Sequence, residues 1–558
     1  MKLTVFKSLL LFFVCSITTI TMAQERAKHG VPSPTYWQNY ANYFIETELD
    51  DQKHQIKGTV KIEYFNNSPY ALEYIWLHLD QNVFKENSLA NALGKLDDRF
   101  SASVTEGMKI LKITHDKKDL TKDITITDTR MQLRVETPIA ANGGVFVFNI
   151  EYEFEIPEKG ADRTGRGAIG EDYVYSVAQW YPRLAVFDDV KGWNILPYRG
   201  TGEFYCEYGN FDYKITLPKE YIVAGAGELT NASDILKRKY NRRLKKVKAK
   251  EISYIIPEGE IGEKVVKTRK KKVTWHFKMK HTRDVAWACS KRFIWNATRA
   301  ELKSGKSILC MGYFLPKLDK EWDKGAQHLK TSLEFYSNQW YDYQYPTMSV
   351  VASTEGGIEY PAFTLVPYDR KGNAFWTTTD HEVAHNWFPM MIGTNEREHF
   401  WMDEGLVTFM GYYASQAVDY TSYMSNYKAM SSRIANSACC KSIIPPDDYA
   451  CGGFYDAMYF KPALGYMLLR ETIIGAERFD FAFSSFMKTW AFKHPTPKDL
   501  FQHFNNVTGE NLDWFWEDWF NSEKKLDQAI EKASYSQEKK KITVTLKNKD
   551  ELKMPVVL

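Results

Sequence analysis

The run His381-Glu382-Val383-Ala384-His385, followed by Glu404 after eighteen intervening residues, decides how the rest of the chain is read. Two histidines four positions apart project from the same side of a helix, because four residues nearly complete one turn. Their imidazoles can therefore meet one Zn2+ ion. Thr379 and Asp380 stand at the expected start of this helix, and Pro389 limits its far end. The gap to Glu404 allows a turn and a return on a second helix beginning near Trp401, which brings in a carboxylate as third ligand. Two imidazoles, one carboxylate and an open position make a catalytic zinc set, one ion per chain. Glu382 directly follows a ligand, so its carboxylate suits a general base that takes a proton from the attacking water.

Around this core the chain is long. Its 558 residues predict two to four domains, and 44% hydrophobic with 26% charged residues fits a packed globular protein, excluding collagen-like and disordered classes. Aromatic residues make up 15%, which favours large cores and pockets that grip extended ligands. With 73 basic and 70 acidic residues the net charge is +3, which gives no reason to expect nucleic acid as the main partner.

From about residue 40 to 290 apolar residues alternate with period two. Val60, Ile62 and Tyr64 share one strand face, as do Phe146, Phe148, Ile150, Tyr152, Phe154 and Ile156, and then Tyr213, Ile215 and Leu217. Inside this β-rich region Lys237 to Lys250 carries nine basic residues, and a second run spans Lys267 to Lys272; both are expected in a solvated hairpin insertion between strands. From about Ala300 to Asn521 the periodicity is helical, interrupted by one short apolar strand around Met348 to Ala352. A polar linker follows Ser522, and Ile542, Val544 and Leu546 alternate as a strand. The expected division is 24–295 for a β-rich domain, 296–525 for a catalytic domain, and 526–558 for a linker with a partial β tail. One or two strands cannot bury a face alone, so this tail either docks on the body or opens a further β-domain.

At the other end, Lys2 and Lys7 precede an apolar run from Leu9 to Cys15 and a small-x-small site, Thr21-Met22-Ala23. Residues 1–23 are expected to be a secretory signal peptide cut near Ala23, since the apolar run is shorter than the ~20 residues that span a bilayer. With no second membrane-length run, the mature chain is expected to be exported to the periplasm or the extracellular space, without stable membrane insertion. Of the six remaining cysteines, Cys451 pairing with Cys439 or Cys440 fits an oxidising compartment.

Residues 381–405, HEVAHNWFPMMIGTNEREHFWMDEG, resemble the zinc-binding core of the gluzincin aminopeptidases, the group of membrane alanyl aminopeptidase and leukotriene hydrolase. The resemblance implies that His381, His385 and Glu404 bind zinc and that Glu382 is the general base. Gly356-Gly357-Ile358-Glu359-Tyr360-Pro361 is similar to the family's exopeptidase signature, usually Gly-x-Met-Glu-Asn, with Ile358 and Tyr360 departing from it. Glu359 falls on the carboxylate that holds the substrate's free α-amino group. Tyr459-Phe460-Lys461-Pro462-Ala463 resembles the family's Tyr-x-Lys-Gly element; Tyr459 matches the phenol that donates to the tetrahedral oxyanion, and Tyr455 sits one turn earlier as a rival. Gln179-Trp180-Tyr181-Pro182-Arg183 loosely resembles the stretch whose Gln lines the amino-terminus pocket. Gly209 to Tyr213 and Arg283 to Trp287 look like landmarks of the same β-domain. The likeness covers roughly residues 30 to 525. It implies a multi-domain fold in which an all-β N-terminal saddle covers a thermolysin-like α/β, mostly helical zinc catalytic domain, with a short β-strand-like C-terminal tail.

The expectation is an exported zinc-dependent aminopeptidase acting on peptides with a free N-terminus. A thermolysin-type endopeptidase would share the zinc motif without needing Glu359. A peptide-binding module on the same scaffold would need neither Glu382 nor Tyr459.

Overall fold

Strict alternation of apolar and polar residues gives the N-terminal half its long strands. The computed structural model describes residues 29–555 except 95–102, 161–162, 203, 419–426, 438–440, 450–451 and 553. The expected signal peptide and the pairing of Cys451 with Cys439 or Cys440 lie outside the described residues, while Cys206, Cys289 and Cys310 are buried free thiols. An eight-stranded sheet is built around the antiparallel pair Tyr40–Asp50 and Gln55–Asn66, with Gly209–Pro218 running parallel to the first. Val60, Ile62 and Tyr64 are buried and stand opposite Ile150, Phe148 and Phe146 of strand Gly144–Glu155, so one face of the sheet becomes core. Two four-stranded sheets and a two-stranded one (Phe187–Asp188 with Gly192–Trp193) accompany it.

A further six-stranded mixed sheet carries the second half. Its strands are β1 (Ser253–Ile256), β2 (Ile294–Glu301), β3 (Ser307–Phe314), β4 (Thr347–Ser353), β5 (Ile358–Tyr360) and β6 (Phe363–Pro367), in the spatial order β1-β2-β3-β4-β6-β5. Sequence periodicity predicts only the strand around Met348 to Ala352. β2 and β3 are buried on nearly every residue, so they lose the alternation that marks a half-exposed strand, and β5 is too short to show any.

The basic segment is also corrected: it forms a helix, α1 (Arg238–Lys245), rather than a hairpin. Tyr240 is fully buried and Leu244, one turn later, is half-buried, which supplies the apolar stripe a short helix needs.

Helices α2 (Gly325–Gln339) and α3 (Gly372–Ala384) pack on the mixed sheet, α4 (Trp401–Ala417) packs on them, and α5 (Lys461–Leu468) packs on α4. α3 begins at Gly372, so Thr379 and Asp380 are interior residues, not the helix start. Instead of capping, Asp380 accepts hydrogen bonds from Ser332 Oγ (2.5 Å) and Tyr336 OH (2.7 Å) of α2, and burial pushes its carboxyl up to about 7. α4 begins at Trp401, where the spacing after His385 places it.

Among the described residues, the tail strands Gln528–Ser536 and Lys541–Asn548 pair only with each other, with Ile530, Tyr535 and Ile542 exposed. Contact with the body resumes at Leu552, which is buried and whose N–H donates to Lys525 O at 3.1 Å. Among the described residues, no helix is long and apolar enough to cross a membrane.

Candidate active site

The end of α3 and the start of α4 bring three ligand atoms together. His381 Nε2 and His385 Nε2 are 3.3 Å apart, and Glu404 Oε2 lies 3.1 Å from the first and 3.5 Å from the second. A tetrahedral ion with bonds of ~2.0–2.1 Å holds its ligands ~3.3 Å from one another. The near-equilateral triangle therefore has the size that a zinc ion requires.

Behind this triangle lies a second set of partners. His385 Nδ1 is 2.6 Å from Asp403 Oδ1 and 3.1 Å from Phe388 O, all of them buried. Nδ1 donates to this carboxylate, which orients the ring with Nε2 toward the triangle. Although burial opposes it, the carboxylates of Asp403, Glu359 and Glu404 hold the His385 imidazole well above its ordinary range. Glu404 is also buried, yet the two imidazoles hold its carboxyl well below the usual range.

Sequence reading missed Asp403. The available signal is the adjacent acidic pair Asp403-Glu404: consecutive helical residues point about 100° apart, so one can face an ion while its neighbour faces the back of a ligand ring.

Glu382 is buried on α3. Gly357, in the loop between β4 and β5, passes directly over it: a β-carbon built there would lie 2.6 Å from Glu382 Oε1 and 3.1 Å from Thr378 Cγ2. Gly356, half-buried, precedes it in the same loop. Glu359 follows on β5, buried, with Oε1 3.8 Å from His385 Nδ1. Burial pushes the Glu359 carboxyl upward, and the facing His385 works against that rise. Tyr360 does not extend this polar surface. It is fully buried, with its ring edge-on to Phe204 at 5.2 Å.

Tyr459 lies on the far side of the ligands, its ring stacked near His381 at 6.2 Å and 19°. Its hydroxyl donates to Glu404 Oε1 at 2.7 Å, so one carboxylate oxygen faces the imidazoles and the other faces the phenol. Tyr455, in contrast, is exposed, its ring 5.2 Å from that of Tyr459 and 5.9 Å from that of Phe454.

Gln179 is buried with a left-handed backbone (φ 49°), and its Nε2 has no hydrogen-bond partner among the described residues. A strained, buried, unsatisfied amide is a functional-site signature. Among the described residues, however, it is hydrogen-bonded to none of the other candidate residues, and its main-chain oxygen accepts from Gln81 Nε2 at 2.9 Å. The neighbouring segment does reach the site's flank. Ser176 Oγ lies 2.9 Å from Ser353 Oγ, and the Gly160 N–H donates to Glu355 Oε2 at 3.1 Å. The β-rich half also holds the turn after the second histidine: Arg283 Nη1 donates to Pro389 O at 2.7 Å and Tyr208 OH to Met390 O at 3.0 Å.

A histidine pair and a glutamate on two packed helices, backed by a mixed sheet and flanked by a sheet-rich N-terminal part, define the gluzincin type of metallopeptidase. Residues 326–519 match the family model of the Peptidase family M1 domain. Among curated relatives, rice (Oryza sativa subsp. japonica) aminopeptidases M1-D and M1-C are 24% and 23% identical over 210 and 202 residues. The match takes in 34% and 32% of this chain and about a quarter of each relative's length. Solved structures cover more. The M1 zinc metallopeptidase from Deinococcus radiodurans aligns over 86% of this chain and 92% of its own, with a TM-score of 0.58 and 12% identity. Legionella pneumophila aminopeptidase A, in complex with aspartic acid, aligns over 91% and 52%, with a TM-score of 0.60 and 13% identity. At these identities the likeness is one of fold.

Proposed function

We propose that this chain is an exported zinc-dependent aminopeptidase that removes N-terminal residues from peptides. The observation that carries the reading is the ligand triangle of His381, His385 and Glu404, with edges of 3.1–3.5 Å, lying beside a buried Glu359. A zinc ion held by these three residues, one per chain, would supply Lewis-acid chemistry at the scissile carbonyl.

The chain's own groups divide the remaining work. Glu382 takes the proton from the attacking water at its carboxylate and returns it to the leaving amine. Glu359 holds the substrate's α-ammonium, and a buried cation that requires this partner selects chain ends over internal peptide bonds. Gly356 and Gly357 let the substrate backbone pass close to Glu382, and Gln179 lines the amino-terminus pocket. Tyr459 redirects its hydroxyl from Glu404 to the developing oxyanion, a donor worth about 3 kcal/mol. A signal peptide at residues 1–23 supports export. Peptide or amino-acid ligands in similar folds support the substrate class: one M1 zinc metallopeptidase from Deinococcus radiodurans is described as bound to a Tyr-Ser-Ala substrate.

The test is a panel of free and N-acetylated aminoacyl anilides, run with and without chelator on the wild type and on Glu382→Gln. Free substrates should be cleaved and acetylated ones spared, chelator should abolish turnover, and Glu382→Gln should lose about 10²–10⁴-fold. Equal cleavage of acetylated substrates would establish an endopeptidase instead. Turnover that ignores chelator would remove zinc from the mechanism.

A further inference from the structure

We propose that helix α1 and the turn leading to Lys272 form a cationic docking surface for an anionic lipid bilayer. Between Lys237 and Lys272 the chain carries fifteen basic and four acidic residues, an excess of eleven, although the whole protein is only +3. Everything outside this segment is therefore net acidic, and the positive charge is segregated rather than spread.

The fold gathers the two basic runs into one place. Leu236 bridges to Val266, the Lys237 N–H donates to Val265 O at 2.9 Å, and the Lys267 N–H donates to Ile235 O at 2.7 Å. It then sorts the charges. Two of the segment's four acids engage the other helix cations: Lys239 pairs with Glu263 (2.7 Å) and Glu260 (3.2 Å), and Arg243 forms a two-pronged pair with Glu260 (2.7 and 2.8 Å), while Glu251 and Glu258 stay exposed among the basic side chains. Arg238, Arg242 and Lys245, at helical spacing on one outward face, are exposed and have no acidic partner among the described residues. The same holds for Lys246, Lys248, Lys250, Arg269, Lys270 and Lys271. Like charges one turn apart repel, so this face contributes nothing to packing and costs the helix some stability.

The chemistry of the patch selects its partner. Tyr240, the aromatic residue of α1, is fully buried, so α1 itself offers nucleobases no stacking platform. A broad, exposed, mostly lysine array matches the diffuse field of a headgroup surface, where each basic side chain strengthens adsorption about fivefold. The placement leaves the proposed active site open. α1 packs on β1, at one edge of the mixed sheet, whereas β5 with Glu359 is the opposite edge, five strand spacings or roughly 24 Å away.

The experiment is co-sedimentation of the purified chain with phosphatidylcholine vesicles, with and without phosphatidylglycerol, at about 0.1 M and about 1 M salt. Binding is expected only with phosphatidylglycerol and only at the lower salt. Arg238→Glu/Arg242→Glu/Lys245→Glu should weaken it by roughly 100-fold or more while the hydrolysis rate on a soluble substrate stays at the wild-type value. Should this triple variant fail to fold, Lys248→Gln/Lys250→Gln/Lys270→Gln/Lys271→Gln, at exposed positions outside α1, carries the same test. Undiminished adsorption of a folded variant, equal binding to neutral vesicles, or tighter binding to duplex DNA than to anionic vesicles at the same salt would each overturn the proposal.

Discussion

The backbone at Gly357 and the carboxylate of Glu382 are in such close contact that a single added methyl group would collide with Oε1 at 2.6 Å. Gly357→Ala should therefore displace the base and leave the surrounding core intact, because the loop position is exposed and a carboxylate end can swing away. A displacement of about 1 Å at a reacting group can cost on the order of 100-fold. We expect kcat/KM to fall by at least about tenfold with zinc content and melting temperature unchanged. Wild-type kinetics in this variant would place the base elsewhere.

Asp403 fixes the tautomer and tilt of His385 across 2.6 Å. Replacing it with Ala should lower zinc affinity by roughly 10–100-fold. Competition against a chromogenic chelator measures this directly, and an unchanged constant would reduce Asp403 to a packing role.

The two tyrosines of the 455–459 turn should separate cleanly. Tyr459→Phe removes the hydroxyl 2.7 Å from Glu404 and should reduce kcat by roughly 10²–10³-fold with KM little changed. Tyr455→Phe, at an exposed ring, should behave as wild type; equal losses in both would argue that the pair acts through stacking, not through a donated proton.

Stability should fall in mild acid through His328. Burial pushes this imidazole down to about 4, against an ordinary value of 6.5, while it packs edge-on to Trp376 of α3 at 5.1 Å. The unfolded chain then binds a proton that the folded one refuses, so stability present above about pH 6.5 is lost as pH falls toward 4, by about 3 kcal/mol at most. Melting temperatures of chelated protein across this window should drop more steeply for wild type than for His328→Gln. Parallel curves would assign acid sensitivity to other groups.

What could be read without a structure was whatever depends on local repeat. His381 and His385 share a face because of helix geometry alone, and the distance to Glu404 follows from one turn and one return. The long strands of the N-terminal half announce themselves because one face of each is wet. The strands β2 and β3 do not, since cover on both sides erases the alternation. The start of α3 is not legible because Thr379 and Asp380 look like caps, whereas the hydroxyls that satisfy Asp380 lie on α2, 44 and 48 residues away in sequence. Charge hides the helical form of 238–245: nine basic residues between Lys237 and Lys250 read as a solvated hairpin until Glu260 and Glu263 arrive from a later turn.

The clasp between Arg283, Tyr208 and the carbonyls of Pro389 and Met390 makes the peptidase stretch a poor unit for excision. A clone starting at residue 326 would shed β2 and β3, strip both donors from the turn beside the histidines, and leave the Trp490 indole without Gly30 O. Any graft onto another scaffold has to bring its upstream half along.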